Sequence, residues 1–492
     1  MYLLGFDVGS SSVKASLLNA ETGKTVASAF YPKQEMKIDA PEKGWAEQDP
    51  ELWWKNLCLA GREVCKNADL SAIKAIGISY QMHGLVMIDK NRQVIRPSII
   101  WCDSRAVSQG DRAFNTLGGE KCLSHSLNSP GNFTASKFMW VKENEKENFD
   151  KTWKIMLPGD YIAMRLTGEV NTTISGLSEG ILWDFQENAL ADYLIEHFGF
   201  NREIIPDLIP TFSDQGRLQP QAAKELGLPE GIIVAYRAGD QPNNAFSLNV
   251  LNPGEIAATA GTSGVVYGVS SEVKFDPLSR VNTFAHVNHS MTNNRLGILL
   301  CINGTGILYS WLKNNFAPLK TYHELNEIAA KAETGSDGLT IFPFGNGAER
   351  MLSNIDYNCR MDGIDFNRHN LSHIIRAGQE GIVFSFIYGI EIMKNLGIHP
   401  EVLRAGNANM FLSPVFQETL AGTGDISIEL YDTDGSVGAA QAAGIGSGVY
   451  SSFEEAFSGL QKIKVIEPSG NNSKYTDAYN NWKNKLELLI NK

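Results

Sequence analysis

The sequence predicts an α/β protein built as two similar domains around one ligand, and three observations carry that prediction. Its 492 residues, 43% hydrophobic and 10% aromatic, exceed one ordinary core and suffice for two. Two small-residue hairpins, "GFDVGSSSVKASLL" at the start and "GEIAATAGTSGVVYGVSS" past the middle, open corresponding stretches of chain. Helix-like and strand-like segments then alternate in both halves. No long Pro-, Ser- or charge-rich tract intervenes, so the boundary is a short connection. It is placed near Ser247, dividing residues 1–247 from 248–492.

Taken in order, "YLLGFDV", "VKASLLN" and "TVASAFY" read as a strand meander, because apolar and β-branched residues alternate between turns of Gly, Ser and Thr. A helix is expected from Pro50, "PELWWKNLCLAGREVCKN", followed by the buried strand "IKAIGIS". The charge-rich "VKENEKENFDK" after Trp140 reads as a solvated helix end. "GIIVA" is a further buried strand, which "YRAG" leaves before Pro242 opens a helix. Later come the apolar helix "QEGIVFSFIYGIEIMKNLG", closed by Gly397, a strand-loop-helix from Glu401 to Gly422, the strand "ISIELY" and the small-residue helix "GSVGAAQAAG".

Charge and composition exclude several classes of function. Lys and Arg total 43 against 55 Asp and Glu, a net charge of -12 without a basic cluster, so nucleic acid and anionic membrane are excluded as partners. No run reaches about 18 apolar residues, and "MYLLGFDVGS" meets Asp7 too early for a secretory core, so a cytoplasmic protein is expected. The six cysteines are scattered without a C-x-x-C pair and read as reduced and structural.

The hairpin turns supply the first functional candidates. Gly and Ser expose backbone N–H groups and permit close approach, so Gly9, Ser10, Ser11 and Ser12 form one expected phosphate loop and Gly261, Thr262 and Ser263 the other. Each taken alone is equally a plain tight turn. Asp7 ends the preceding strand, where a carboxylate holds Mg²⁺ directly or through water, and Lys14 on the next strand is a candidate to face phosphate. Neither a P-loop nor a G-x-G-x-x-G turn between strand and helix is present.

Asp240 lies at a strand end beside a helix N-terminus, an expected rigid and ionised carboxylate. Two roles remain open there: a general base taking the proton of an attacking hydroxyl, or a helix cap. "YQMHG" exposes Gln81, Met82 and His83 at another strand end, and "IIWCDSRA" delivers Asp103 and Arg105 to a third. His286 and His289 are spaced for one helical face but lack a third ligand, while Trp53, Trp54 and Trp311 read as core. The small-residue helix from Gly435 and the loop "AGNANM" admit an adenine and ribose between them, or only tight helix packing.

"GFDVGSSSVKASLL", "GWAEQDPELWW", "YQMHG", "IIWCDSR", "PGNFTASKFMWV", "LPGDYIAMRLTGE", "RAGDQ", "AGTSGVVYGV" and "DGSVGAAQAAG" follow one another as in the FGGY family of carbohydrate kinases. The sequence resembles that family from Tyr2 to about Gly448, and W-x-E-Q-D-P with Q-M-H-G is similar to its xylulokinase branch. The resemblance implies two actin-like ATPase (ribonuclease-H-like) domains closing on ATP, Mg²⁺ and a sugar, with γ-phosphoryl transfer to a sugar hydroxyl, D-xylulose in that branch.

It assigns Asp240 as general base, Met82 and His83 as sugar contacts, with Gln81, Asp103 and Gln241 beside them. Asp7, with Asp240, is assigned to the Mg²⁺ side, and Gly406 and Asn407 to the adenine side. Departures are Gln241 after the base, "AGNANM" for a glycine-rich loop, and "GAERMLSN" without the usual Thr-Pro. A related kinase of another ketose, polyol or aldonic acid, with "TTISGLSEGILWDF" lining the sugar end, and a catalytically silent sensor are the alternatives. A homodimer is a family-based expectation.

Overall fold

The computed structural model describes residues 1–470 and 472–491. The opening meander forms as expected: β1 (Tyr2–Val8), β2 (Val13–Asn19) and β3 (Thr25–Tyr31) pair antiparallel in sequence. Helix α1 (Pro50–Cys65) starts where Asp49 accepts the Glu51 N–H and Pro50 supplies a first-turn φ without needing a donor. It buries Trp53 and Trp54. Strand β4 (Ile73–Tyr80) joins parallel to β1. Helices α2 (Thr134–Asn144) and α3 (Pro158–Thr167) follow, then β5 (Ile233–Gly239), parallel to β4, and α4 (Asp240–Ser247). The first sheet therefore runs β5-β4-β1-β2-β3.

The second half repeats this plan. Strands β6 (Ile256–Ala260) and β7 (Gly264–Ser270) form the second hairpin, an added strand β8 (Asn282–Ala285) edges the sheet, and β9 (Leu296–Ile302) completes the meander. Helices α5 (Gly306–Phe316), α6 (Tyr322–Ala329) and α7 (Leu371–Lys394) come next. Strand β10 (Val402–Gly406) lies parallel to β6, α8 (Pro414–Gly424) crosses over, and β11 (Ser427–Tyr431) lies parallel to β10. Helix α9 (Gly435–Gly446) follows, and β12 (Lys462–Ile466) edges the sheet, whose order is β8-β9-β7-β6-β10-β11-β12. Without its two edge strands this is the order of the first sheet, with the same parallel and antiparallel pairings. The fold is a pair of actin-like α/β domains.

Where the structure departs from the sequence reading, local chemistry explains it. Helix α7 begins eight residues before Gln379, because the Asn370 side chain caps it at the Ser372 N–H, and it ends at Lys394, before Gly397. Strand β5 keeps "YRAG", whose Ala238 and Gly239 pair with Ser79 and Tyr80, so Asp240 rather than Pro242 opens α4. Trp311 is half exposed on α5 instead of core. His286 and His289 lie on no helix; the buried His286 ring meets the Tyr267 hydroxyl at 3.0 Å and the Val250 carbonyl at 3.0 Å.

Helix α9 does not border a nucleotide cavity. It lies against β1 and β4 so closely that a Cβ on Gly5 would sit 1.9 Å from the Ser436 carbonyl oxygen, and one on Gly77 2.0 Å from that of Ala439. Its alanines share a buried cluster with Leu3, Ala75 and Tyr236. An element from the second half of the chain thus completes the first core. Among the described residues no helix is long and apolar enough to cross a membrane.

Candidate active site

Sheet ends and helix starts converge where the two halves meet. Asp7, near the end of β1, accepts from the Ser79 hydroxyl at 2.8 Å, and its carboxylate lies against Gly435 at the head of α9. Lys14 does not stand free to face phosphate: its ammonium pairs with Asp434 at 3.3 Å. Asn243 on α4 donates to the Gly435 carbonyl at 2.8 Å, tying the two helices together.

Asp240 is the first residue of α4, after Gly239. The expectation of a plainly ionised carboxylate is corrected: burial first, then repulsion by Asp7, pushes its pKa up to about 7, only partly opposed by the Gln241 amides. Burial likewise raises Asp7. Gly239 has to be glycine here, because a Cβ would meet Met82 at 2.6 Å and the Glu179 carboxylate at 3.1 Å.

Gln81, Met82 and His83 follow the end of β4, with Met82 against Gly239, the residue before Asp240. Gln81 and Met82 are buried, and Gln81 leaves its side-chain oxygen without a partner. His83 adopts φ +61° and its Nδ1 donates to the Glu179 carbonyl at 3.0 Å. A carbonyl only accepts, so the proton is on Nδ1 and Nε2 carries a lone pair. Burial holds the ring neutral, with its pKa pushed down to about 3.

Asp103 is not free for a ligand. Its carboxylate grips Arg105 at 2.7 to 3.0 Å and accepts the Ala46 and Arg105 N–H groups, fixing its own loop. The Trp101 indole N–H, in the same segment, instead reaches the Ser10 hydroxyl at 3.3 Å.

The two turns differ in what they keep available. Gly9 donates its N–H to Ser12 at 3.1 Å, and Ser10 and Ser11 give their carbonyls to Gln48 and Met36, so Gly9 closes the turn instead of offering its N–H outward. In the second turn the Gly261 and Thr262 carbonyls accept the first N–H groups of α5 at 2.9 and 3.0 Å, leaving Thr262 and Ser263 exposed. Gly306 permits that contact, since a Cβ there would lie 2.3 Å from the Gly261 carbonyl oxygen.

Beside this turn opens a cavity of about 740 Å³ between α5, α6 and residues 409–413. Tyr309 and Tyr322 stack at its wall with centroids 5.6 Å apart. Gly406 ends β10 and Asn407 follows it, two residues before Asn409, which lines the cavity with Met410 and Ser413. Its size suits a nucleoside.

Known proteins share this chain's sequence pattern and fold. A model of the N-terminal domain of the FGGY family of carbohydrate kinases matches residues 2–247. A xylulose kinase of Bacillus subtilis (strain 168) is 31% identical over 498 residues, covering 98% of this chain and 96% of its own. The chain belongs to the FGGY family of carbohydrate kinases. Among solved structures, a xylulose kinase from Rhodospirillum rubrum superposes with a TM-score of 0.90 over 100% of both chains at 24% identity. A gluconate kinase from Lactobacillus acidophilus gives 0.91 over 99% of this chain and 98% of its own at 21% identity, so the shared fold spans different acceptors.

Sequence reasoning missed two buried ionisable groups at the sugar end of this FGGY kinase. Glu179 is buried beside the Tyr80 hydroxyl, and burial raises its pKa well above the usual range, with Asp240 and Asp160 adding to the rise. Lys137 is wholly buried on α2. A lysine inside the apolar run "FTASKFMWV" was the available signal.

Proposed function

We propose that this kinase transfers the γ-phosphoryl group of ATP to a ketopentose, D-xylulose before others, with Asp240 as general base. The observation that carries the reading is Asp240 itself: a carboxylate where β5 meets α4, next to the glycine that packs on Met82 and facing Asp7, with a pKa pushed up to about 7. A base of that strength takes a hydroxyl proton as the oxygen attacks phosphorus, a step worth about 10² to 10⁴ in rate. His83, neutral and with its Nε2 lone pair available, accepts from a sugar hydroxyl, and Gln81 and Gln241 supply further polar contacts. ATP lies in the cavity by α5 with its phosphates between the Gly9–Ser12 and Gly261–Ser263 turns.

The residues present fit Mg²⁺. Among the described residues no three His, Cys, Asp or Glu side chains form a metal cage, and Mg²⁺ usually takes only one or two carboxylates beside phosphates and water. Asp7 and Asp240 are hard-oxygen donors that repel each other, and a divalent cation offsets that repulsion. When bound, Mg²⁺ neutralises charge on the phosphates. Asp7 holds it from the end of β1, and closing of the two halves excludes water from the phosphoryl group.

The Bacillus relative supports D-xylulose as the first acceptor to try. Coupled ADP release with D-xylulose, L-xylulose, D-ribulose, L-ribulose, glycerol and gluconate tests the reading, with Asp240→Asn alongside. Preference for D-xylulose, lost in the variant, supports it. Preference for another acceptor keeps the mechanism and shifts attention to Gln241 and Glu179; ATP turnover that responds to none removes it in favour of a sensor.

A further inference from the structure

The "PGNFTASKFMWV" segment has no ligand role in the reading above, yet its side chains and backbone hold three loops beside Met82 and His83. The Lys137 ammonium donates to the His83 carbonyl at 2.8 Å and to the Ile100 carbonyl at 3.0 Å. Thr134 donates to the Gly84 carbonyl at 3.3 Å, and the Asn132 amide to the Asp103 carbonyl. The Ala135 N–H donates to the Gly180 carbonyl at 3.1 Å, next to Glu179. Three loops far apart in sequence thus hang from the first turn of one helix.

The choice of lysine has a physical reason. A wholly buried ammonium is costly unless its protons are taken, and here two backbone carbonyls take two of its three. Burial pulls its pKa down to about 7 against the opposing pull of Asp103 and Cys102; Arg105 and Glu179 face it too. The amine keeps two N–H donors in either protonation state, so both bonds survive titration. The residue it fixes also needs fixing, because His83 sits at φ +61°, a backbone region that non-glycine residues occupy only when neighbours hold them there.

We infer that Lys137 is a positioning residue for the phosphoryl acceptor: it locks the loop carrying Met82 and His83 to the loop carrying Trp101 and Asp103, and so fixes the spacing of the sugar pocket. It acts through backbone carbonyls and touches neither ATP nor the acceptor. The inference rests on the sugar-kinase reading, since these loops bound the acceptor end only if that reading holds.

The test is steady-state kinetics of the full chain with the acceptor that wild type prefers from the panel above, varying acceptor and ATP separately. Lys137→Met is expected to raise the acceptor KM at least tenfold while the ATP KM stays within twofold, because the nucleotide cavity belongs to the other half. A general loss of structure moves both, and joint movement overturns the inference, as does an unchanged acceptor KM. If Lys137→Met is not recovered folded, Thr134→Val decides by the same split, with an expected two- to threefold rise in acceptor KM and an unchanged value counting against it. A wild type that turns over no acceptor removes the functional reading, and this inference with it; an active wild type with an indifferent variant removes the inference alone.

Discussion

Asp240 and Asp434 occupy matching places in the duplicated fold, each at the head of the helix that follows the fifth common strand of its sheet. Their surroundings make them opposites. Asp434 accepts the Ser436 and Val437 N–H groups at 2.9 and 3.1 Å and pairs with Lys14, so Lys14 and its own helix hold its pKa low despite burial. Asp240 has no such cation, faces Asp7 and is pushed up to about 7. One carboxylate is committed to capping a helix, and the other remains able to take a proton. Position in an α/β fold proposes a site; the unspent lone pairs decide it.

The sharpest way to break this contrast is Asp240→Asn. Turnover is expected to fall at least about 100-fold, with melting unchanged or slightly raised, because a buried carboxylate is replaced by a neutral isostere. Coupled ADP release and a thermal melt read both; retained activity with lost stability would make Asp240 a cap like Asp434.

Next in size is Gly77→Ala, aimed at the structural side. Its Cβ has no room beneath α9, so a stability loss of about 1–3 kcal/mol is expected in urea titration. An unchanged midpoint would mean that α9 moves freely on the first sheet. Asp434→Ala should cost about 1 kcal/mol as a lost cap, with a smaller loss of turnover than Asp240→Asn. Equal catalytic losses would erase the distinction.

The remaining test is in pH. Asp240 titrates near 7 when folded and near about 3.9 when unfolded, so the native state binds more protons between those values. Its contribution to stability is full below about pH 4 and disappears as pH rises through about 7. Asp434 is shifted the other way, and its contribution fades as pH falls. Asp240→Asn should therefore flatten the decline of stability from about pH 4 to 7, and Asp434→Asn the decline below about pH 4; melts from acid pH up to about 8 check both.

The first meander, both hairpin turns and the strand-to-helix step at Asp240 were legible because each depends on neighbours within a few residues. Asp103 misled because its partner, Arg105, is two residues away and takes the carboxylate that a strand-end argument leaves free. The cavity beside the second turn was not legible, since its walls come from α5, α6 and residues 409–413, which meet only in three dimensions. For helix α9 the sequence left a ligand role and plain tight packing both open, and the packing is what the structure has: small residues announce a close approach without naming what is approached. Lys137 was passed over because nothing local says that an ammonium amid apolar residues faces two carbonyls from 37 and 54 residues away.

The covering of Gly5 and Gly77 by α9 also has a consequence for how the protein is made. The first sheet is complete once Gly239 has been synthesised, but the helix that seals one of its faces ends at Gly446, about 200 residues later. At ordinary rates of translation that interval is about 10–40 s. During it, a nascent chain carries a finished sheet with an open glycine-lined face, a surface for chaperones or for another chain's small-residue helix. A fragment ending at Ser247 would remain permanently in that condition, so supplying residues 248–492 in trans should rescue its solubility.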